Sequence, residues 1–267
     1  MTRAPSPNRP IGVFDSGIGG LSILQSLRRE MPSEDFVYFA DSAHTPYGEK
    51  SEAFVIERAL VITADLIKNQ RIKALVIACN TATAAAIGLL RAQHPGLPII
   101  GVEPALKPAT LVSKTRRIAV LATRSTLQSG KFGALLQSLQ DQAEFVCTPC
   151  DGLAEQIERH ADSKVATQLI AACAYFISST GQFGTKNGQI DTLVLGCTHY
   201  PLVLPYFRQA VGNDTDIMDN GQAVARRTLQ QLSDDIADTS HTGEVYLQSS
   251  GDLRALEAAF RHWNRLK

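Results

Sequence analysis

Two cysteines stand where thiols can do acid–base work. Cys79 ends the apolar run of "ALVIACNTAT" (74 to 83) and is followed at once by Asn80 and Thr81. Cys197 ends a matching run in "TLVLGCTHYP" (192 to 201) and is followed by Thr198 and His199. A thiol between a strand and a helix meets the positive end of the helix dipole, which favours thiolate. The same N–H groups can hold an anionic ligand. His199 can act as proton partner to Cys197. Each cysteine can also be read as inert core, and His199 as a structural histidine. The repeated context, with polar residues after both, favours chemistry.

Other candidates surround this pair. "DSGIGG" (15 to 20) follows an apolar run and puts Asp15 at a strand end. Its glycines permit a tight turn and close ligand approach. The alternative is an Asx turn in which Asp15 caps the next helix. A dinucleotide fingerprint would need glycine where Ser22 stands, so that reading fails, and no G-x-x-x-x-G-K-[ST] loop occurs. "HTPYGEKS" (44 to 51) is a Pro/Gly loop whose Tyr47 can cover a pocket or merely decorate a turn. "CTPC" (147 to 150) has redox or zinc spacing. No second ligand pair accompanies it, and Cys173 reads as core. Glu155 and Glu158 share one helical face, which alone implies only solvation.

Alternating elements must hold these residues. Expected strands are Ile11–Phe14, Phe36–Ala40, Ala74–Ala78, Ile99–Val102, Ile118–Ala122, Glu144–Cys147 and Thr192–Leu195. Expected helices are Leu21–Met31, Ser51–Asn69, Ala82–His94, Leu127–Gln140, Leu153–Ser178 with a break near Asp162, Leu202–Val211, Ala223–Leu232 and Asp252–Trp263. Such alternation implies crossover connections and parallel sheets covered on both faces. The sequence also echoes itself. The two cysteines lie 118 residues apart, and "IGVFDSGIGG" (11 to 20) pairs with "IAVLATRSTL" (118 to 127) at a separation of 107. Two halves of similar architecture follow, and ligands bind beyond the carboxyl ends of such strands. If the halves face each other, both cysteines line one cleft.

Composition bounds the rest. The chain has 267 residues, 44% hydrophobic and 19% charged, and no net formal charge. It is globular, of one or two domains. The neutral balance argues against broad nucleic-acid binding, which needs a positive surface. "MTRAPSPNRP" reads as a short tail without a secretory signal, and no apolar run reaches membrane-spanning length, so a cytoplasmic location is expected. Five cysteines in a chain of this size are expected to be free thiols.

The motifs "FDSGIGGLS", "DSAHTPYGEKS", "VIACNTATA", "GVEPALKPA", "VLATRSTLQSG", "LGCTHYPL" and "DNGQAVARR" together resemble the cofactor-independent aspartate/glutamate racemase superfamily, within it the glutamate racemases. They run from about residue 11 to about residue 227, and the tail "VYLQSSGD" resembles the family's C-terminal segment. The resemblance implies two flavodoxin-like α/β domains related by a pseudo-twofold axis, with the active site at their interface. The first would be 1–103 plus 213–267, the second 104–212. It implies that Cys79 and Cys197 are the two acid/base residues, that Asp15 assists Cys79, and that His199 assists Cys197. Ser16, Tyr47, Gly48, Asn80, Thr81 and Thr198, with Asp15, match substrate-binding motifs, and Thr123 and Thr126 join them less directly.

One departure is visible. A family stretch that begins Cys-Pro and reaches an active-site glutamate reads here "PCDGLAEQIE", with Asp151 in place of proline. Counting from Cys150 gives Glu158; counting from Cys147 gives Glu155. The resemblance further implies glutamate as substrate, no cofactor and a role in peptidoglycan precursor synthesis, and allows a homodimer; from the residues themselves, no metal and no need for nucleic acid or membrane are expected. Aspartate or hydantoin racemisation is the nearest rival. A non-catalytic amino-acid sensor on the same fold is the rival from another class.

Overall fold

The computed structural model describes residues 9–160, 167–232, 236–237 and 240–265. The helix break expected near Asp162 and most of the expected N-terminal tail lie outside them. By its contacts the chain forms two compact units, Met1–Val102 with Gly221–Lys267, and Glu103–Asn220.

The first unit holds β1 (Ile11–Asp15), α1 (Leu21–Glu30), β2 (Phe36–Ala40), α2 (Glu52–Gln70), β3 (Ala74–Ile77), α3 (Asn80–Gln93) and β4 (Ile99–Gly101). The second holds α4 (Leu106–Val112), β5 (Arg117–Ala122), α5 (Arg124–Gln128), α6 (Gly130–Gln137), β6 (Glu144–Pro149), α7 (Leu153–Arg159), α8 (Thr167–Thr180), β7 (Thr192–Leu195), α9 (Leu204–Val211) and β8 (Asp216–Met218). The chain then returns to the first unit for α10 (Gly221–Gln231), β9 (Val245–Ser249) and α11 (Leu253–Arg265).

Every pairing between these strands is parallel. The sheet orders are β4-β3-β1-β2-β9 and β6-β5-β7-β8. In each unit the first strand lies between the second and the third, which is the flavodoxin-like order. The order reverses between β1 and β3, and again between β5 and β7. The sequence echoes therefore pair strands in equivalent sheet positions: β1 with β5, and β3 with β7. The first sheet differs at its edge, where β9 adds beside β2.

Central strands are apolar on both faces because helices cover both. All four residues of β3 and of β7 are buried. In the first unit Phe14, Val37, Ile62, Leu66, Leu75 and Ile77 pack into one core. In the second, Leu106, Ile118, Val120, Phe132 and Val194 do the same. At about 25 cal/mol per Å² of apolar surface removed from water, these clusters dominate the stability of each unit.

Several boundaries differ from the expectation. The single helix over Leu127–Gln140 is two, α5 and α6. Ser129 leaves helical geometry between them (φ −69°, ψ 143°), and its hydroxyl caps α6 by accepting from the Phe132 N–H at 3.2 Å. Strands β8 and β9 and helix α4 lie outside the expected list. β8 has three residues and the edge strand β9 is only half-buried, so neither carries a strong apolar run. Pro108 sits inside the seven-residue α4 and masks it.

Candidate functional site

In the first unit the site grows from the carboxyl ends of three neighbouring strands. β1 ends on Asp15, β2 is followed by Asp41, and β3 leads through Ala78 to Cys79. All three side chains are buried. Asp15 Oδ2 accepts from the Gly17 N–H at 3.0 Å, which is the Asx turn. The N-cap residue of α1 is Gly20, which has no side chain to bond the first turn. Tyr38 from β2 fixes the same turn by donating to the Gly17 carbonyl at 2.7 Å. Gly20 is needed for space, because a Cβ there would lie 2.6 Å from Asp15 Cβ and 2.8 Å from the Tyr38 hydroxyl.

Cys79 is the N-cap of α3. Its backbone is extended (φ −135°, ψ 121°), and its sulfur accepts from the Ala82 N–H at 3.5 Å. A sulfur in that position receives the helix N-terminus directly, which stabilises negative charge. Ser16 Oγ lies 3.9 Å from it. Helix α3 begins two residues earlier than the sequence suggests, so Asn80 and Thr81 belong to its first turn. Asn80 donates to the Val102 carbonyl at 3.4 Å, while its Oδ1 is buried without a hydrogen-bond partner among the described residues. An orphaned amide oxygen is costly and leaves an acceptor for a ligand.

The loop after β2 brings Tyr47 and Gly48 into a 3₁₀ turn, Tyr47–Glu49. Tyr47 is buried in the same core cluster as Cys79. Its hydroxyl donates to Asp41 Oδ2 at 2.5 Å. Arg58 of α2 holds both oxygens of Asp41 at 2.9 and 2.8 Å, and His44 lies 3.0 Å from Oδ1. Burial works against the charge of Asp41, yet hydrogen bonds from Arg58, Tyr47, Ser250 and His44 hold its pKa down at about 2. Burial, and then that carboxylate, push the Tyr47 phenol far above its ordinary range.

In the second unit β7 ends at Leu195 and Gly196 precedes the thiol. A Cβ on Gly196 would meet Ala122 Cβ at 2.9 Å and the Leu121 carbonyl oxygen at 3.0 Å, so only glycine lets the chain turn against β5. Cys197, Thr198 and His199 follow, all buried. The surroundings of Cys197 differ from those of Cys79. A 3₁₀ turn over Tyr200–Val203 intervenes, and α9 starts only at Leu204. Cys197 is thus not an α-helix cap, as the matching motifs suggested, and its polar partner is a side chain.

That partner is His199, with Nδ1 3.7 Å from the sulfur. On the far side of the ring, Nε2 lies 2.6 Å from Glu158 Oε1. Burial disfavours a charged ring. The hydrogen bonds to Cys197 and Glu158 and the carboxylate's charge outweigh it and raise the His199 pKa well above its usual value. Glu158, Nε2, Nδ1 and sulfur form a continuous line of polar contacts. Glu155 lies outside it, paired with Arg159 at the surface.

Thr123 and Thr126 stand at the end of β5. Thr123 caps α5, accepting from the Thr126 N–H at 3.3 Å and donating to the Thr126 hydroxyl at 2.9 Å. Of the C-x-x-C pair, burial pushes the Cys147 thiol to about 11 and the Cys150 thiol higher still. Burial likewise takes Cys173 to about 12. All five cysteines are free, and these three lack the depressed pKa of redox thiols. Among the described residues no cluster of three or more His, Cys, Asp or Glu side chains offers a metal site, and no helix is long and apolar enough to cross a membrane.

Sequence reasoning missed Asp41, Arg58 and Tyr38. Asp41 had a signal, since it stands directly after β2 as Asp15 stands at the end of β1. Arg58 had none, because it lies mid-helix among other charges.

A doubly wound fold with a buried thiol just beyond the switch-point strand of each unit, one on a helix N-terminus and one on a histidine–carboxylate line, defines an α/β protein equipped for proton transfer. Comparison with known proteins supplies the family. The chain belongs to the Asp/Glu/Hydantoin racemase family, whose family model matches residues 11–228. It is similar to the glutamate racemase of Ectopseudomonas mendocina, 43% identical over 93% of this chain and 92% of that one. It is also similar to that of Ralstonia nicotianae, 46% identical over 87% and 79%. Among solved structures, the glutamate racemase isoform RacE1 of Bacillus anthracis matches with a TM-score of 0.84 at 28% identity, covering 98% of this chain and 96% of that one. Escherichia coli glutamate racemase, in complex with L-glutamate and the activator UDP-MurNAc-Ala, matches with a TM-score of 0.82 at 28% identity over 96% and 95%. The chain is an enzyme of the racemase class.

Proposed function

We propose that the protein interconverts L- and D-glutamate by moving the Cα proton between two thiols, without a cofactor. The observation that carries the reading is the matched pair of strand-end cysteines, Cys79 with the Ala82 N–H at its sulfur and Cys197 with the His199 ring at its own. Inversion needs a proton removed from one face of Cα and another returned to the opposite face. A single base would tend to return the proton where it came from. With two, the Cys79 thiolate takes the Cα proton of D-glutamate and the Cys197 thiol donates its own to the other face, leaving Cys79 protonated and Cys197 as thiolate. L-glutamate runs the same steps backwards. This is general acid–base catalysis.

Asp15 assists Cys79. The raised His199, held by Glu158, assists Cys197 by pairing with its thiolate. The electron pair left on carbon is stabilised by donors aimed at the α-carboxylate, for which Ser16, Thr81 and Thr198 are the candidates. The unpaired Asn80 Oδ1 supplies an acceptor for the substrate ammonium. Gly48, Thr123 and Thr126 complete the proposed binding set, together with Tyr47. The D-glutamate formed would supply peptidoglycan precursor synthesis in the cytoplasm.

The test is circular dichroism of the purified protein with L- or D-glutamate, and in parallel with aspartate and a hydantoin. Loss of optical activity from either glutamate enantiomer is expected. Glutamate binding without racemisation would support a sensor instead.

A further inference from the structure

We infer that Asp41 is a positioning residue for substrate binding, acting through Tyr47 on the turn that follows β2. The inference rests on the glutamate reading above.

Asp41 is fully buried, and its carboxylate gathers partners from two separate segments. Arg58 comes from α2, and Tyr47 and His44 come from the loop. Just after β9, Ser250 accepts from the Ala43 N–H of that loop at 3.1 Å, and Gly251 lies so close that a Cβ would be 3.1 Å from that nitrogen. The strand that supplies Ser250 lies beyond residue 228, where the family match ends. The C-terminal segment of the chain thereby reaches the loop that carries Tyr47 and Gly48.

The chemistry of Tyr47 follows from this arrangement. Its hydroxyl donates to Asp41 and sits beside the Arg58 guanidinium, and the side chain is buried. The phenol faces the carboxylate, so a substrate would meet the backbone of its turn. A charge-assisted bond of this kind fixes geometry as well as adding energy. The turn packs against the start of α3, where Cys79 caps the helix, and Tyr47 and Cys79 share one core cluster. Releasing Asp41 should loosen the substrate's seat and leave the thiols in place.

The experiment compares kcat and KM for both glutamate enantiomers in the wild type, Asp41→Asn, Tyr47→Phe and the double variant. Asp41→Asn is expected to raise KM about tenfold with kcat within about threefold, the pattern of lost binding rather than lost chemistry. The double variant should be no worse than the poorer single variant, because the two residues act as one unit. Wild-type KM in Asp41→Asn, a fall in kcat alone, or additive effects would each overturn the inference. Should Asp41→Asn not fold, Tyr47→Phe decides, since it removes the bond to Asp41 from the other side: a raised KM upholds the inference and an unchanged KM overturns it. Failure of the wild type to racemise glutamate would instead reject the reading beneath it.

Discussion

At the scale of single residues, the two thiols have different polar contacts. Cys79 meets backbone, at the first turn of α3. Cys197 meets a side-chain line ending in Glu158. Glu158→Gln keeps the shape and removes the charge, so the His199 pKa should fall, which a pH titration of its ring resonances by NMR would read. The sign for stability follows. The folded-state pKa of His199 lies above its unfolded value of about 6.5, so the ring's contribution is complete below that value and is lost as pH rises through the folded-state pKa. Denaturant titrations of the wild type should show stability declining across that alkaline window, and Glu158→Gln should flatten the decline. An unchanged slope in the variant would contradict the assignment of Glu158 as a source of the shift beside Cys197.

At the scale of elements, two glycines hold the strand ends in register with the chemistry. Gly196 lets the chain after β7 turn against β5, and Gly20 leaves room for Asp15 beneath the Tyr38 hydroxyl. Gly20→Ala forces a methyl against the Asp15 Cβ and should destabilise the fold by about 1–3 kcal/mol, as overpacking does. Turnover by the remaining folded enzyme should fall further, because Asp15 itself must move. Urea denaturation with kcat measured on the same sample checks both, and wild-type values would show that the turn is looser than its contacts indicate. The sequence was informative at this scale where apolar runs are long. β1, β2, β3, β5 and β7 were legible because central parallel strands are buried on both faces, and the edge strands β4 and β6 because each still carries an apolar run, at Ile99–Ile100 and Phe145–Val146. β8 and β9 were not, because Asp216–Met218 is too short and Val245–Ser249 ends on polar residues. The cap at Ser129 shows the other limit, since a serine inside an apolar helical period does not announce that it breaks the helix.

At the scale of the whole molecule, each unit carries its own core and sheet. The first depends on a chain that leaves and returns, and a buried ion pair ties those pieces together. Lys73 Nζ lies 3.0 and 2.9 Å from the two oxygens of Glu34, and Glu34 Oε1 also accepts from the Ala237 N–H at 2.7 Å in the returning segment. Lys73→Met would strand the carboxylate and should cost about 3–5 kcal/mol, read as a lower urea midpoint with turnover per folded molecule preserved. A loss below about 1 kcal/mol, the range of exposed pairs, would mean that water reaches Glu34. The candidate site was legible in the sequence because its residues cluster in short motifs at strand ends: Asp15–Ser16, Tyr47–Gly48, Cys79–Thr81 and Cys197–His199. Glu158 was reachable only by counting from Cys150, because a single glutamate on an amphipathic helix gives no sign that its oxygen meets a histidine 41 residues away. The side-chain web around Asp41 joins residues too far apart in the chain for any spacing rule.

The central claim is that one thiol serves each face of Cα. Its most direct test is racemisation in heavy water by the wild type, Cys79→Ala and Cys197→Ala. In the earliest turnovers of the wild type, the inverted product should carry deuterium at Cα while unreacted substrate keeps its hydrogen. Each single variant should lose racemisation by at least about 10²-fold, as when a general acid or base is removed. Product that retains its hydrogen, or wild-type turnover in either variant, would contradict the account.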